Sequence, residues 1–350
     1  MINFYCPLGQ RPNGGHKVIY NAVEELNSLN INARVLHPIP NYRLKWFNSK
    51  AKVNSHKKIK SSEYFIIPEI CLSLLDEYKI LNHSKYSILV QNGYLYLGTE
   101  NPRESIKKFY ENADFIFCVS QDTLEVITML FPDLSKKIIL FEPLMTKFLA
   151  EKFDPVKMKI ISYMPRKNPL YSDIVVNMLK LHLPKKWEII AISGQPENKV
   201  IELLKKSSIF LSFSGLEGNP LPPLEAAILG NIVIGNHGNG AKSYWNEPLF
   251  IKVNQDDIKE YVKKTLEMIK QIDLDNNINS NYEDSRLDLI SSLKERTSLA
   301  TVISNLIASK QLNTSQLKEE VEYSYSISFY RYLSWRIRVK LKAKSNHSIL

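Results

Sequence analysis

One stretch, Phe210–Gly235, constrains the fold more tightly than any other: FLSFSGLEGNPLPPLEAAILGNIVIG. The apolar run Ile209–Phe213 is too short for a helix and suits a buried strand. SGLEGNP then reads as a turn, because Gly215 and Gly218 permit backbone angles that other residues resist. Pro222 and Pro223 fall where proline costs least, in the first turn of a helix. LEAAIL continues that helix until Gly230 stops it, and Ile232–Ile234 is the next buried strand. Strand, glycine turn, helix start, helix and strand together form the geometry that presents backbone N–H groups to an anion.

Two carboxylates bracket the turn, Glu217 in the loop and Glu225 in the helix. Eight positions along one helix would set them on one face, but the prolines place Glu217 before the helix begins. The pair is expected to point into one pocket from two directions. Such a pocket suits a sugar nucleotide, with Glu225 accepting from ribose hydroxyls and Glu217 holding a hydroxyl of the transferred sugar. Each charge-assisted bond is worth roughly 1.5–3 kcal/mol. Two glutamates at this spacing alone would read as a solvated helix face. The strand, the prolines and the terminating glycine around them argue otherwise.

S-G-L-E-G-N-P-L-P-P-L-E-A-A-I-L-G-N-I-V-I-G resembles the donor-site signature of retaining GT-B glycosyltransferases of the group 1 (family 4) type, E-G-[aromatic]-G-x-P-x-x-E-A-[small]-x-x-G. Asn219 stands at the aromatic position and Pro220 at the second glycine. Proline has no N–H, so one amide that such a site offers to a diphosphate or sugar is missing. That bears on sugar preference rather than on fold. The resemblance implies an α/β chain of two Rossmann-like, doubly wound domains facing a cleft, with C-terminal helices. It implies donor contacts at Glu225, Gly218, Asn219 and Leu221, transfer with retention, and no metal or other cofactor beyond the nucleotide-diphospho-sugar co-substrate.

A chain of 350 residues, 44% of them apolar, is long enough for two domains. The expected division is an acceptor domain over 1–145, a linker over 146–157, a donor domain over 158–310, and a return helix with a basic tail over 311–350. The formal net charge of +10 favours an anionic partner. Cys6, Cys71 and Cys118 fit neither metal nor disulfide spacing and are expected to be buried thiols in a reducing compartment. MINFYCPLGQRPNGG lacks the charged and apolar regions of a leader, and no run approaches membrane-spanning length. A cytoplasmic protein, peripheral at most on the inner membrane face, is expected.

In chain order, Ile2–Tyr5 reads as a first strand, followed by a glycine loop, a helix from about His16 to Leu29 and a strand at Ala33–Leu36. This is the βαβ opening of a doubly wound sheet. Gly14 and Gly15, straight after the first strand, can approach a phosphate, and His16 is an acceptor-side candidate. Residues 41–60 carry Arg43, Lys45, Lys50, Lys52, Lys57, Lys58 and Lys60 without an acid. The lysines read as a solvated loop, whereas Trp46 and Phe47 suggest a segment resting on an apolar or lipidic surface. Strands at Tyr64–Ile67, Ser87–Gln91 and Phe115–Ser120 end at Glu69, Gln91, Asn92 and Ser120. Ligands bind at such strand ends in parallel sheets, so Glu69 and Asn92 are further acceptor-side candidates. Each of the four can also simply satisfy backbone groups at a turn.

The pattern restarts at Lys159–Tyr163, followed by MPRKNP. A helix N-terminus stabilises an anion by only about 0.3–1 kcal/mol, or ~2 when partly buried. A departing diphosphate therefore needs fixed cations, and Arg166 and Lys167 stand where the resembling enzymes place theirs. With Glu217 they form the expected catalytic set. Gly194, after the strand Trp187–Ile192, and Gly238, in GNHGNGAKSYW, are further donor-side candidates. His237 is not expected to be a general base. Asp256–Ile272 and 287–307 read as helices. Residues 323–350 hold six basic residues and no acid. A basic amphipathic helix on an anionic membrane and an unstructured tail both fit that stretch.

The resulting expectation is a glycosyltransferase of hexosyl or deoxyhexosyl type. It would move a sugar to a glycan or lipid-linked acceptor, anionic in character, in cell-surface polysaccharide or glycolipid synthesis. Two alternatives stay open: a non-hydrolysing sugar-nucleotide epimerase and a catalytically idle binding subunit. Nucleic acid is not expected as a partner, since no motif interleaves aromatic with basic residues.

Overall fold

The computed structural model describes residues 1–9, 12–54, 58–60, 62–73, 84–94, 104–152, 156–275, 278, 282–312 and 322–324. The first half runs β1 (Ile2–Tyr5), α1 (Gly14–Ser28), β2 (Ala33–Leu36), β3 (Lys58–Lys60), β4 (Tyr64–Pro68), β5 (Tyr86–Val90), α2 (Glu104–Asn112), β6 (Ile116–Cys118), α3 (Gln121–Leu130) and β7 (Ile138–Leu140). The second runs β8 (Met158–Tyr163), α4 (Pro169–His182), β9 (Glu188–Ala191), α5 (Glu197–Lys206), β10 (Ser207–Glu217), α6 (Leu221–Ile228), β11 (Ile232–Asn239), β12 (Phe250–Lys252), α7 (Ile258–Leu274) and α8 (Glu283–Lys294). α9 (Leu299–Ala308) and β13 (Glu322–Ser324) follow. The chain divides into two units, Met1–Pro143 with Thr297–Leu350, and Leu144–Arg296.

Each unit is built on a parallel sheet, as the βαβ pattern predicts. The first has six strands in the order β2-β1-β4-β5-β6-β7 and the second five in the order β12-β11-β10-β8-β9. Parallel strands are buried on both faces and so read as continuous apolar runs whose alternate residues feed separate cores. Ile2, Phe4, Tyr64 and Ile66 enter one cluster of the first unit, while Tyr5, Phe65 and Ile67 enter the other. In the second unit Ile209, Leu211, Phe213, Ile232 and Ile234 face one core, and Phe210 and Val233 the other. All three cysteines are buried free thiols.

The stretch read as a helix over 287–307 is two helices, α8 and α9. Ser298 caps α9, accepting from the Thr301 amide at 3.0 Å, and donates to Glu25 of α1 at 2.6 Å. Leu299, Ala300 and Ile303 pack into the cluster that holds Val18, Val23 and Leu26 of α1. α9 therefore completes the first unit, although the sequence reading set the donor domain's end at 310. Within 146–157, read as a linker, Phe148 is buried in a core of the second unit, and the Lys157 amine reaches the Lys205 carbonyl at 2.7 Å.

The reading of Trp46 and Phe47 as surface-seeking is corrected by their packing. Phe47 is buried with an edge-on contact to Tyr20, Trp46 lies against the same core, and Leu44 and Ala51 are buried with them. Arg43 folds the segment over itself, donating to the carbonyls of Ser49 at 3.0 Å and Ala51 at 2.8 Å. The lysines between stay exposed, as Lys45, Lys50 and Lys52 show. Of residues 311–350, only 311–312 and Glu322–Ser324 are described; Glu322–Ser324 pairs antiparallel with β3, and the membrane-helix reading of the basic tail lies outside the described residues. Among the described residues no helix is long and apolar enough to cross a membrane.

Candidate functional site

The ends of β8, β10 and β11 build the candidate site within the second unit. β10 and β11 run further than their apolar residues imply. The turn residues Ser214–Glu217 extend β10 through an irregular register, and β11 continues to Asn239, which pairs with Glu217. Glycine makes this extension possible. A Cβ on Gly240 would stand 2.0 Å from the Gly218 carbonyl oxygen, and one on Gly238, at φ +57°, 2.7 Å from that of Gly215. The Gly240 amide donates to the Glu217 carbonyl at 3.1 Å. Gly235 lies below them at φ +137°, where a Cβ would meet the Tyr261 hydroxyl at 2.2 Å. That hydroxyl reaches the Ser212 carbonyl at 2.9 Å and the Ile234 carbonyl at 2.8 Å, tying the two strands together where they leave the core.

The candidate side chains sit on this frame. After β8 the turn Pro165–Lys167 projects Arg166 into solvent and brings the Lys167 ammonium to the Glu217 carboxylate at 2.5 Å, each side chain about a fifth exposed. Glu225 is buried in α6. Tyr244 is buried, and its hydroxyl donates to the Pro220 carbonyl at 2.7 Å. Burial pushes that phenol well up; the Arg296 guanidinium opposes the shift and the charges of Glu217 and Glu225 add to it. Arg296 lies over the Tyr244 ring, 5.7 Å from its centroid. His237, at the end of β11, accepts the Asn239 amide on Nδ1 at 3.0 Å; with Nδ1 the acceptor, a neutral ring carries its proton on Nε2.

α6 begins at Leu221 behind Pro220 with no side-chain cap. Pro220, Pro222 and Pro223 have no N–H, so over 220–224 only Leu221 and Leu224 carry a backbone donor. The helix start thus offers an anion fewer amides than its position in the fold suggests. Gly218 is buried against Gly240, Leu221 is buried and Asn219 half-buried. A Cβ at Gly215, or at Gly194 with its φ of +66°, would meet nothing within 4 Å. Gly194 is held by conformation, and Gly215 faces open space.

The first unit spends its candidates differently. α1 starts at Gly14, so both glycines lie in its first turn rather than in a loop before it. The Gly15 amide is taken by the Asn13 side chain at 2.8 Å, and a Cβ there would stand 2.5 Å from the Gln91 amide oxygen. His16 is buried with its ring over Gly9. Ser120 caps α3 through the Thr123 amide at 3.2 Å. Glu69 is buried at the end of β4 and accepts the Asn92 amide at 3.1 Å. Its second oxygen is buried without a hydrogen-bond partner among the described residues. Burial pushes this carboxyl up to about 7 against the pull of the amides of Gln91, Glu69 and Asn92.

Sequence reading missed Tyr244, whose partner Pro220 lies 24 positions away. Its only signal was the aromatic pair in KSYW, directly after the glycines of β11.

No family model matches the chain, and no curated protein sequence does. Solved structures do. A glycosyltransferase from Rickettsia africae superposes with a TM-score of 0.60 at 14% identity, over 89% of this chain and 97% of its own. An alpha-glucosyltransferase in complex with UDP and a 13-mer DNA containing an HMU base gives 0.57 at 13%, over 88% and 98%. The lipopolysaccharide outer core galactosyltransferase WaaB gives 0.54 at 14%, over 88% and 99%. The chain spans about half the length of TarM (54%), which it also matches. Parallel sheets of six and five strands, wound with helices as in these enzymes, give this chain the GT-B glycosyltransferase fold.

Proposed function

We propose that the chain is a glycosyltransferase that moves a sugar from a nucleotide-diphospho-sugar held by the second unit to a glycan or lipid-linked acceptor. The observation that carries this reading is the Lys167–Glu217 ion pair at the ends of β8 and β10, with Glu225 buried in the helix that follows. Lys167 and Arg166 take the diphosphate and stabilise the leaving charge that a proline-rich, amide-poor helix start cannot hold. Glu225 accepts from the ribose, and Glu217, oriented by Lys167, from the transferred sugar. The open space at Gly215 and Gly194 admits the donor against bare backbone. Retention, a hexosyl or deoxyhexosyl donor and a place in surface-polysaccharide or glycolipid synthesis rest on the motif's resemblance. UDP is the nucleotide to try first, because it occupies the aligned alpha-glucosyltransferase.

The test is a calorimetric panel of UDP-, GDP-, ADP- and dTDP-sugars against the wild type and Glu225→Ala. Tight binding of one donor by the wild type and a tenfold or greater loss in the folded variant are expected, from a bond of roughly 1.5–3 kcal/mol. Undiminished binding by the folded variant rejects the ribose role. Nucleoside diphosphate released only when acceptor is added separates transfer from epimerisation, and donor binding without release identifies an idle subunit.

A second reading concerns the acceptor. The aligned alpha-glucosyltransferase holds DNA, and this chain carries a net charge of +10. Sugar transfer to hydroxymethylated duplex DNA, falling steeply with salt, would favour that acceptor. Transfer to a lipid-linked glycan alone would favour the first reading.

A further inference from the structure

α4 carries an apolar stripe on its solvent side. Leu170 is 74% exposed, Ile174 39%, Met178 37% and Leu181 81%, whereas Tyr171, Val175, Val176 and Leu179 of the same helix are buried in the sheet core. At 100° per residue the four exposed residues and Asn177 share one face over three turns. Single exposed apolar residues are ordinary, but a contiguous apolar face marks a contact surface.

The face is complementary to itself. Asp173 and Lys180, both exposed, lie along the same border of the stripe, one near each end. The pairs Leu170 and Leu181, Ile174 and Met178, and Asp173 and Lys180 are each centred within one residue of Val176, which is about 1.5 Å along the helix. A two-fold axis at that level, perpendicular to the helix, superposes all three pairs on one another. An isologous contact requires this arrangement.

We propose that this face of α4 is the contact between two copies of the chain, packed antiparallel about a two-fold axis at the level of Val176. Leu170 of each copy then meets Leu181 of the other, Ile174 meets Met178, and Asp173 meets Lys180 twice over on one border. A lipid surface is the less suited occupant, because an in-plane helix lines its apolar face with basic residues and Asp173 interrupts that border. One helix face falls at the small end of specific interfaces, so the dimer is expected to be weak, with a micromolar dissociation constant.

The test is sedimentation velocity on the full chain from low micromolar to about 100 µM, a range that brackets the affinity expected of an interface this small. The wild type is expected to shift from monomer to dimer across it. Leu181→Glu and Asp173→Lys are each expected to weaken the dimer at least tenfold, since every substitution enters the contact twice. All these positions are exposed, so unchanged circular dichroism and melting temperature should accompany the loss. The double variant Asp173→Lys/Lys180→Asp restores the opposite charges and is expected to recover dimer. Three results would overturn the proposal: a wild type monomeric throughout, a dimer indifferent to both single variants, or a monomer whose co-sedimentation with phosphatidylglycerol vesicles is lost in Leu181→Glu. The last would assign the face to a membrane.

Discussion

Glu217 and Glu69 occupy equivalent places, each just where a parallel strand ends, yet their surroundings are opposite. Glu217 has an ammonium at 2.5 Å and is partly open to water. Glu69 is buried, accepts the Asn92 amide at 3.1 Å and has no ion pair among the described residues, and its carboxyl rises to about 7. The thiols of Cys71 and Cys118, pushed up mainly by burial, feel its charge as well. A strand end therefore does not by itself make a carboxylate a ligand-binding charge. The neighbouring turn sets the surroundings: among the described residues, Lys167 in the turn after β8 stands beside Glu217.

The largest way to break the contrast is Lys167→Met, which removes the ammonium paired with Glu217. Removing one preorganised group aimed at developing charge costs about 100- to 1000-fold in kcat. The same change costs folding about 1 kcal/mol or less, because a half-open ion pair contributes little. Steady-state transfer rates and thermal melts on one preparation separate the two effects. Equal losses in rate and stability would make Lys167 a structural residue.

Glu69 sharpens the comparison from the other side. Its folded carboxyl titrates near 7 against 4.5 for an ordinary glutamate, a gap worth about 3 kcal/mol. The group holds its proton more tightly when folded. Its contribution is therefore complete below 4.5 and is lost as the pH rises through about 7. Glu69→Gln, which keeps the shape and cannot ionise, is expected to match the wild type near pH 4.5 and to be the more stable by about 3 kcal/mol at pH 8. Melting temperature against pH for both proteins checks this. Parallel curves would mean that the carboxyl ionises freely in the folded state.

The sheets were legible in the sequence because parallel strands are apolar on both faces, and Ile209–Phe213 and Ile232–Ile234 announce themselves. The extension of β10 and β11 was not. Ser214, Gly215, Asn236 and Gly238 have the chemistry of a turn, and they form strand because the two segments pair with each other, a tertiary effect that overrides local preference. Trp46 and Phe47 misled for a related reason. Their neighbours in sequence are lysines, whereas the neighbour that decides their burial, Tyr20, lies on α1. The turn with Arg166 and Lys167 was readable as basic, but its meeting with Glu217, 50 positions away, was carried by the motif's resemblance alone.

The smallest expected effect separates conformation from contact at Gly194. Its φ of +66° disfavours any residue with a Cβ, while the Cβ itself would touch nothing within 4 Å. Gly194→Ala should therefore lose about 1 kcal/mol of stability from the backbone alone. Asparagine tolerates this region better than alanine, so Gly194→Asn should recover part of that stability. If the donor's nucleotide approaches the bare backbone here, recovery of stability brings no recovery of affinity, since asparagine fills the same space more fully. Donor titrations of both variants beside their melting curves measure the two quantities. Affinity that follows stability from alanine to asparagine would mean that the glycine serves only the turn, and that the open volume beside it belongs to solvent.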